Sequence, residues 1–453
     1  MRYIRGNRAD FDDWAAHGND GWSYAEVLPY FLKAENNSIP NLMDSPYHST
    51  DGPLCISHSN YDNDNPLLRE FLNAGNEFGL ETLDYNGEQQ IAVDYLQSTI
   101  HDGTTRCSTA KAYLEPIRYR KNLYIFKNTL VTRIIFDETN RTAVGVECYR
   151  NREYFTITAT KEVIVTAGAI NTPKLLMLSG VGPRRHIEEL GIPVIADLPV
   201  GETLYDHLYL ALNFTISSRL LETFNETSYD IIVDYAKNRD GKLTTANGVE
   251  IVAFINQKRL TNFPPDVEIL MGPYISIEQN FTIPFLTIAV VKLKPKSIGT
   301  VKLQSRNFLV PPLIDPNYFS NSVDIEITKW AIGEIRELTN TASLSKYNLM
   351  LITKDVESLC GPIDLDNDTD LECFIRYGTR SLGHPVSTCR MGKITDETSV
   401  VDPSLLKVHG FANLRIAGSP IFFDMVRGHT LAASVMTAEK LSDIILSGYN
   451  FKP

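Results

Sequence analysis

Gly168-Ala169-Ile170-Asn171-Thr172-Pro173-Lys174-Leu175-Leu176-Met177-Leu178-Ser179-Gly180-Val181-Gly182 follows a continuous apolar run, Val163-Ile164-Val165, through Thr166-Ala167. A buried strand that gives way to small residues and then a helix is where an α/β protein brings its backbone close to a ligand. Taken alone, the segment reads as a helix closed by a Gly-rich C-cap. Gly180-Val181-Gly182-Pro183-Arg184-Arg185 begins like G-x-G-x-x-G. Arg185 stands at the sixth position, however, and the segment follows a helix where a dinucleotide fingerprint must follow a strand. Upstream, Asn122 to Phe136, Thr142 to Tyr149 and Tyr154 to Ala169 are predicted as consecutive strands of an antiparallel meander. Downstream, strands are expected over Ile251 to Ile255, Asp266 to Met271, Thr287 to Leu293 and Gly299 to Leu303, then a helix over Asp324 to Thr339. A short strand, Leu414-Arg415-Ile416, precedes a final amphipathic helix with Leu431, Val435, Ala438, Leu441, Ile444 and Ile445 on one face, ended by Gly448. Near the front, Ser23 and Glu26 have the spacing of a capping box.

The composition narrows the chemistry. The 453 residues carry a formal charge of −12, and an acidic chain repels phosphate backbones, so nucleic acid is not an expected partner. No apolar run reaches the roughly 18 residues of a membrane span. The first ten residues contain no apolar core of a signal peptide. Cys55, Cys107, Cys148, Cys360, Cys373 and Cys389 form no C-x-x-C pair, H-E-x-x-H is absent, and no metal site is expected. G-x-S-x-G and the P-loop motif are also absent, which excludes a hydrolase nucleophile elbow and P-loop phosphate chemistry. Glycosylation sequons at Asn36, Asn140, Asn213, Asn225, Asn280 and Asn367 hint weakly at secretion.

Four further segments join the opening one. They are Tyr3-Ile4-Arg5-Gly6-Asn7 with Asp10-Phe11-Asp12-Asp13-Trp14; Leu198-Pro199-Val200-Gly201-Glu202-Thr203-Leu204-Tyr205-Asp206-His207; His384-Pro385-Val386-Ser387-Thr388-Cys389-Arg390-Met391-Gly392; and Arg106-Cys107-Ser108-Thr109-Ala110. Gly168 to Gly182 resembles the second signature of the glucose–methanol–choline (GMC) oxidoreductases, G-x-x-x-[ST]-P-x-L-L-x-x-S-G-[IV]-G. The others resemble the tail of that family's first signature, its L-P-V-G-x-N-L-x-D-H and H-P-V-G-T-C-x-M-G motifs, and a segment of insect members of the glucose dehydrogenase type. The resemblance covers essentially the whole chain. It implies a mixed α/β fold: an FAD-binding region over 1–204, a substrate-binding domain with an antiparallel sheet over 205–380, and a return to the FAD domain over 381–453.

The resemblance also implies an FAD-dependent enzyme acting on the CH–OH group of a small alcohol or sugar, with a quinone or oxygen as electron acceptor. Such a reaction needs a base near the operating pH, and imidazole fits. By resemblance, His384 and His429 are the catalytic pair. Ala417, Gly418 and Thr430 then lie at the flavin, where the N-terminus of the last helix would face its N1–C2=O edge, and Val131 and Ala169 lie toward the adenine end. The alternative is a non-catalytic remnant that keeps the substrate domain as a binding module.

The departures from the family pattern are Ser387 and Thr203, where Gly and Asn are usual, Gly418, where Asp is usual, and Leu431-Ala432-Ala433 after His429-Thr430. The family's opening βαβ unit with G-x-G-x-x-G is not present, so Met1 is expected to be an internal position of a longer chain, with roughly a hundred residues or fewer preceding it. Residues 1–453 alone are accordingly expected to be poorly soluble and to hold no FAD. The full protein is expected to be extracellular. Cys360 and Cys373 bracket an acidic segment and are expected to pair there, two independent thiols being the alternative.

Overall fold

The computed structural model describes residues 1–60, 66–137, 141–216, 229–245, 248–276 and 285–449. Two cores organise them. The first is built around a parallel pair, in which Leu414, Arg415 and Ile416 lie opposite Val163, Ile164 and Val165. Val165, Leu414 and Ile416 are buried, and Leu176 and Met177 of the helix Gly168–Leu178 pack with them. Ala432, Val435, Met436 and Leu441 of the helix Thr430–Gly448 join the same core. That helix lies against Tyr24–Ala34, whose start is held by the expected Ser23–Glu26 pair: the Glu26 carboxylate accepts from the Ser23 backbone N–H at 3.0 Å.

The meander forms a three-stranded antiparallel sheet of Leu130–Asp137, Thr142–Arg150 and Glu153–Thr158. Two boundaries differ from expectation. The first strand starts at Leu130 rather than Asn122. The stretch from Tyr154 to Ala169 divides into Glu153–Thr158, which stays on the meander, and Val163–Val165, which leaves for Leu414–Ile416. The polar Ala159-Thr160-Lys161-Glu162 link makes the crossing.

The second core is a seven-stranded antiparallel sheet. We label its strands β1 (Val93–Tyr95), β2 (Leu208–Thr215), β3 (Ile251–Ile255), β4 (Val267–Ser276), β5 (Phe285–Lys292), β6 (Met350–Leu351) and β7 (Thr379–Ser381). Their order is β6-β2-β5-β4-β3-β1, with β7 also on β2. Every residue of β3 is buried, so both faces of the sheet are covered there. The helix Ser322–Thr339 packs on β5, and Pro66–Glu77 packs on β3 and β4. Each fully buried Leu, Ile or Phe contributes roughly 1.5–3 kcal/mol. Leu67, Leu68, Phe71, Ala74 and Val93 therefore tie this early stretch to the sheet core. Cys360 and Cys373 are joined in a disulfide that links the helices Lys354–Cys360 and Asp368–Gly378.

A buried polar network sits where the N-terminal segment enters. The Arg5 guanidinium pairs with the Glu35 carboxylate, and both are fully buried. Tyr3 OH donates to Glu35 Oε2 at 3.0 Å. His48 bridges two carboxylates, Nδ1 to Glu35 Oε1 at 2.5 Å and Nε2 to Asp84 Oδ2 at 2.9 Å. Burial alone would raise the Glu35 pKa, but Arg5 and His48 hold it down at about 2. Burial alone would lower that of His48, but hydrogen bonds to Asp84 and Glu35 raise it.

Candidate functional site

His384 follows β7 on a short turn through Leu382 and Gly383, and His429 is the N-cap residue of the helix Thr430–Gly448. Their ring centroids lie 4.6 Å apart with the planes at 83°. Each is held by backbone. His384 N–H donates to Asp206 Oδ1 at 2.8 Å, and Asp206 Oδ2 accepts from Tyr318 OH at 2.6 Å and from the Ser381 hydroxyl. His429 N–H donates to the Ile4 carbonyl at 3.1 Å. Gly428 permits that contact: a Cβ there would stand 2.6 Å from Gly6 N and 2.7 Å from Ile4 O, closer than any side chain tolerates.

Two more side chains complete the cluster. His429 Nε2 lies 3.0 Å from Glu268 Oε1 on β4. His384 Nδ1 lies 2.9 Å from His207 Nδ1, and His207 Nε2 contacts the carbonyls of Leu293 and Val426. Neither partner was among the sequence candidates. A signal existed for both. His207 ends the Leu198-to-His207 motif, and Glu268 is a lone acid within the apolar run Val267 to Met271.

The electrostatics hold the three imidazoles of this cluster in the neutral form. Burial lowers the pKa of His384 well below the ordinary imidazole range, and the neighbouring His429 and His207 push it the same way. Burial, Arg2 and His207 do the same to His429. Burial also lowers that of His207. Glu268 moves the opposite way: burial raises it to about 7, with Arg2 and His207 opposing. Its Oε2 is buried with no hydrogen-bond partner.

Ser387, where the family pattern has Gly, takes φ +68°, and its hydroxyl is buried without a partner. The segment carrying His384 thus holds a side chain in a backbone region that favours glycine.

A cavity of about 760 Å³ opens at the carboxyl ends of the parallel pair; neither His384 nor His429 lines it, and Leu431, two residues after His429, does. Thr166, Gly168, Ala417, Gly418 and Ser419 floor it, with Leu431, Ser434 and Ala438 on the C-terminal helix. Gly418 takes φ 91° and ψ −164°, a conformation essentially restricted to glycine. The helix has no side-chain cap at His429, so its first N–H groups have no side-chain acceptor. Small residues at the ends of parallel strands, next to a helix start rich in donors, fit a flat electron-accepting ring.

Ala417 and Gly418 line this cavity. Ala169 adjoins its lining residue Gly168, and the Ala169 carbonyl accepts from the Thr388 hydroxyl at 2.7 Å. Thr430 starts the helix whose next residue lines the cavity. Val131 stands apart, half-buried in the three-stranded sheet opposite Cys148. Among the described residues no group of His, Cys, Asp or Glu is arranged to hold a metal ion, and no helix is long and apolar enough to cross a membrane.

A cavity at the carboxyl ends of parallel strands, a separate antiparallel sheet and a pair of close imidazoles fit a cofactor-dependent oxidoreductase. GMC oxidoreductase family models match residues 1–209 and 295–438. Glucose dehydrogenase [FAD, quinone] of Drosophila pseudoobscura pseudoobscura is 34% identical over 97% of this chain and 71% of its own length. Oxygen-dependent choline dehydrogenase of Brucella ovis is 35% identical over 98% of this chain and 79% of its own length. The solved FAD-dependent oxidoreductase from Chaetomium thermophilum superposes with a TM-score of 0.88 at 26% identity, covering 100% of this chain and 85% of that one. The chain belongs to the GMC oxidoreductase family, and it is an FAD-dependent enzyme.

Proposed function

We propose that the protein oxidises the CH–OH group of a small alcohol or sugar, with glucose dehydrogenase-like chemistry, and that His384 is the base. The observation that carries this reading is the approach of the two imidazoles to 4.6 Å, His429 being the residue just before the helix that lines the cavity. Alcohol oxidation removes a hydride from carbon and a proton from oxygen. When bound, FAD supplies the hydride acceptor. The protein's part is the proton: neutral His384 accepts it from the hydroxyl. His429, anchored to Glu268, orients the substrate oxygen. Ala417, Gly418 and the first turn of Thr430–Gly448 would hold the flavin end of the cofactor. Burial keeps water from competing for His429, while His384 is half-buried.

The acceptor that takes electrons from the reduced enzyme is proposed to be a quinone or oxygen. Anaerobic mixing of the protein, carrying the family's opening βαβ unit upstream and loaded with FAD, with glucose, choline and a simple alcohol tests the substrate reading. Bleaching of the flavin absorbance by at least one of them is expected, and no bleaching by any alcohol or sugar would end it.

An extracellular location is proposed as well. The Cys360–Cys373 disulfide suits an oxidising compartment, and the sequons at Asn36 and Asn367 are exposed. Asn213 is half-buried in β2, with its Oδ1 accepting from Thr287. Asn140, Asn225 and Asn280 lie outside the described residues. Glycosidase digestion of protein from its native source is expected to lower the mass, and an unchanged mass with free thiols at 360 and 373 would reverse the assignment.

A further inference from the structure

Asp206 and His207 close the Leu198-to-His207 motif, and both reach His384. Asp206 takes its backbone N–H, and His207 faces its ring, Nδ1 to Nδ1 at 2.9 Å. Two imidazole nitrogens at that distance share one hydrogen. Which ring supplies it is decided on the far side of His207. There, Nε2 lies 3.0 Å from the Leu293 carbonyl and 3.1 Å from the Val426 carbonyl. A carbonyl oxygen only accepts, so this Nε2 carries a hydrogen. His207 is fully buried and its ring is held in the neutral form by that burial, so its Nδ1 is bare. The hydrogen between the rings therefore belongs to Nδ1 of His384. Among the described residues, nothing hydrogen-bonds to Nε2 of His384.

We propose that His207 is a positioning residue that fixes His384 as the Nδ1–H tautomer, so that Nε2 is the atom that takes the substrate's hydroxyl proton. The proposal rests on the reading of His384 as base. In that step the substrate O–H bond breaks, an Nε2–H bond forms, and the electron pair stays on oxygen. With FAD bound, the carbinol carbon would give up its hydride with both electrons of the C–H bond, and the oxygen's pair would close the C=O bond. The resulting imidazolium still donates through Nδ1 to His207, so proton uptake requires no rearrangement of the pair. Without this partner, a neutral imidazole is free to carry its hydrogen on Nε2, and that tautomer has no lone pair to offer the substrate. The two carbonyls behind His207 belong to segments that meet only in the folded chain, one just after β5 and one three residues before His429. The tautomer is thus set by the same packing that builds the site.

The test combines ring-¹⁵N chemical shifts of histidine-labelled protein, with the His384 signals identified by their loss in His384→Ala, and the rate of flavin reduction in the FAD-loaded enzyme. His384 is expected to show a protonated Nδ1 and a bare Nε2. His207→Phe removes the acceptor at similar size and should move hydrogen to Nε2, with the rate falling at least about tenfold and at most by the roughly 10²–10⁴-fold that a general base supplies. His207→Asn retains an acceptor near the Nδ1 position and should restore the tautomer and most of the rate. A His384 hydrogen on Nε2 in the wild type, or shifts unmoved by His207→Phe, would overturn the proposal. A moved tautomer with an unchanged rate would remove His384 as the base and overturn the assignment of the proton to its Nε2, leaving only the role of His207 in setting the tautomer. If His207→Phe does not accumulate as folded protein, the wild-type shifts decide alone.

Discussion

The molecule buries histidine in two places, with opposite consequences. His48 lies between the carboxylates of Glu35 and Asp84, and its pKa is raised in spite of burial. His207, His384 and His429 lie against one another and against backbone carbonyls, and the pKa of each is lowered. Burial pushes all four the same way, so the neighbours decide the sign. At the first place the charges are matched and the group serves as a brace. At the second, positive charge has nowhere to settle, and the imidazoles stay neutral and able to accept a proton. Glu268 does not restore the balance, because its own burial raises it to about 7.

That contrast can be broken most directly at His384. His384→Ala should reduce turnover by roughly 10²–10⁴-fold while changing flavin affinity far less. Stopped-flow reduction alongside a flavin titration measures both, and a near-wild-type rate would make His429 the base. On the bracing side, Glu35→Ala leaves the Arg5 charge buried without its partner and should cost about 3–5 kcal/mol of stability. Urea unfolding reports it; a cost below about 1 kcal/mol would show that Arg5 finds another partner.

The pH response sharpens the comparison further. A raised pKa gives His48 a stabilising effect that is present in acid and is lost as pH rises through its folded value, above 6.5. A lowered pKa gives His384 the reverse: its favourable contribution is present above 6.5 and is lost as pH falls toward the folded value. Removing His48 should therefore hurt thermal stability more at about pH 5.5 than at about pH 8.5, while His384→Asn should relieve acid instability, each on the order of 1 kcal/mol. Parallel responses in the two variants would contradict the opposite assignments.

The smallest effect expected is a gain. Ser387→Gly removes a side chain at φ +68° and an unpartnered buried hydroxyl, and should stabilise the protein by about 1 kcal/mol. A loss of stability would mean that the hydroxyl has a role which the strain supports.

Much of the frame was legible beforehand. Ile251–Ile255 appears at its expected bounds because a continuous apolar run in the core has no other use, and Leu414–Ile416 does so with Arg415 paired to Glu162. The stretch from Asn122 misled because Tyr124, Ile125 and Phe126 have strand-like side chains but no neighbouring strand, and all three are exposed. The resemblance singled out His384 and His429 together, and their rings lie 4.6 Å apart, while the signals for their partners did not point to that pair. A single acid in a strand normally reads as its solvent side, and only the coverage of both faces of β3 and β4 puts Glu268 inside. His207 stands 177 residues from His384, and no local pattern encodes that approach. Ser387 was visible as a departure, but its cost lies in a backbone angle that no side chain announces.

The contact beneath His429 has a consequence for synthesis. Ile4 and Gly6 press against Gly428 and His429, and nearby the Arg427 N–H reaches Asp10 across 417 residues of chain. Pairings so distant in sequence close late, after the entropy of a very long loop has been overcome. A chain still emerging from the ribosome can complete its antiparallel sheet and carry His384 while His429 is still missing from beside it. Until the final helix arrives, the early segment that will seat His429 is an uncovered surface. The interval between those two events is where a chaperone would matter most to this protein.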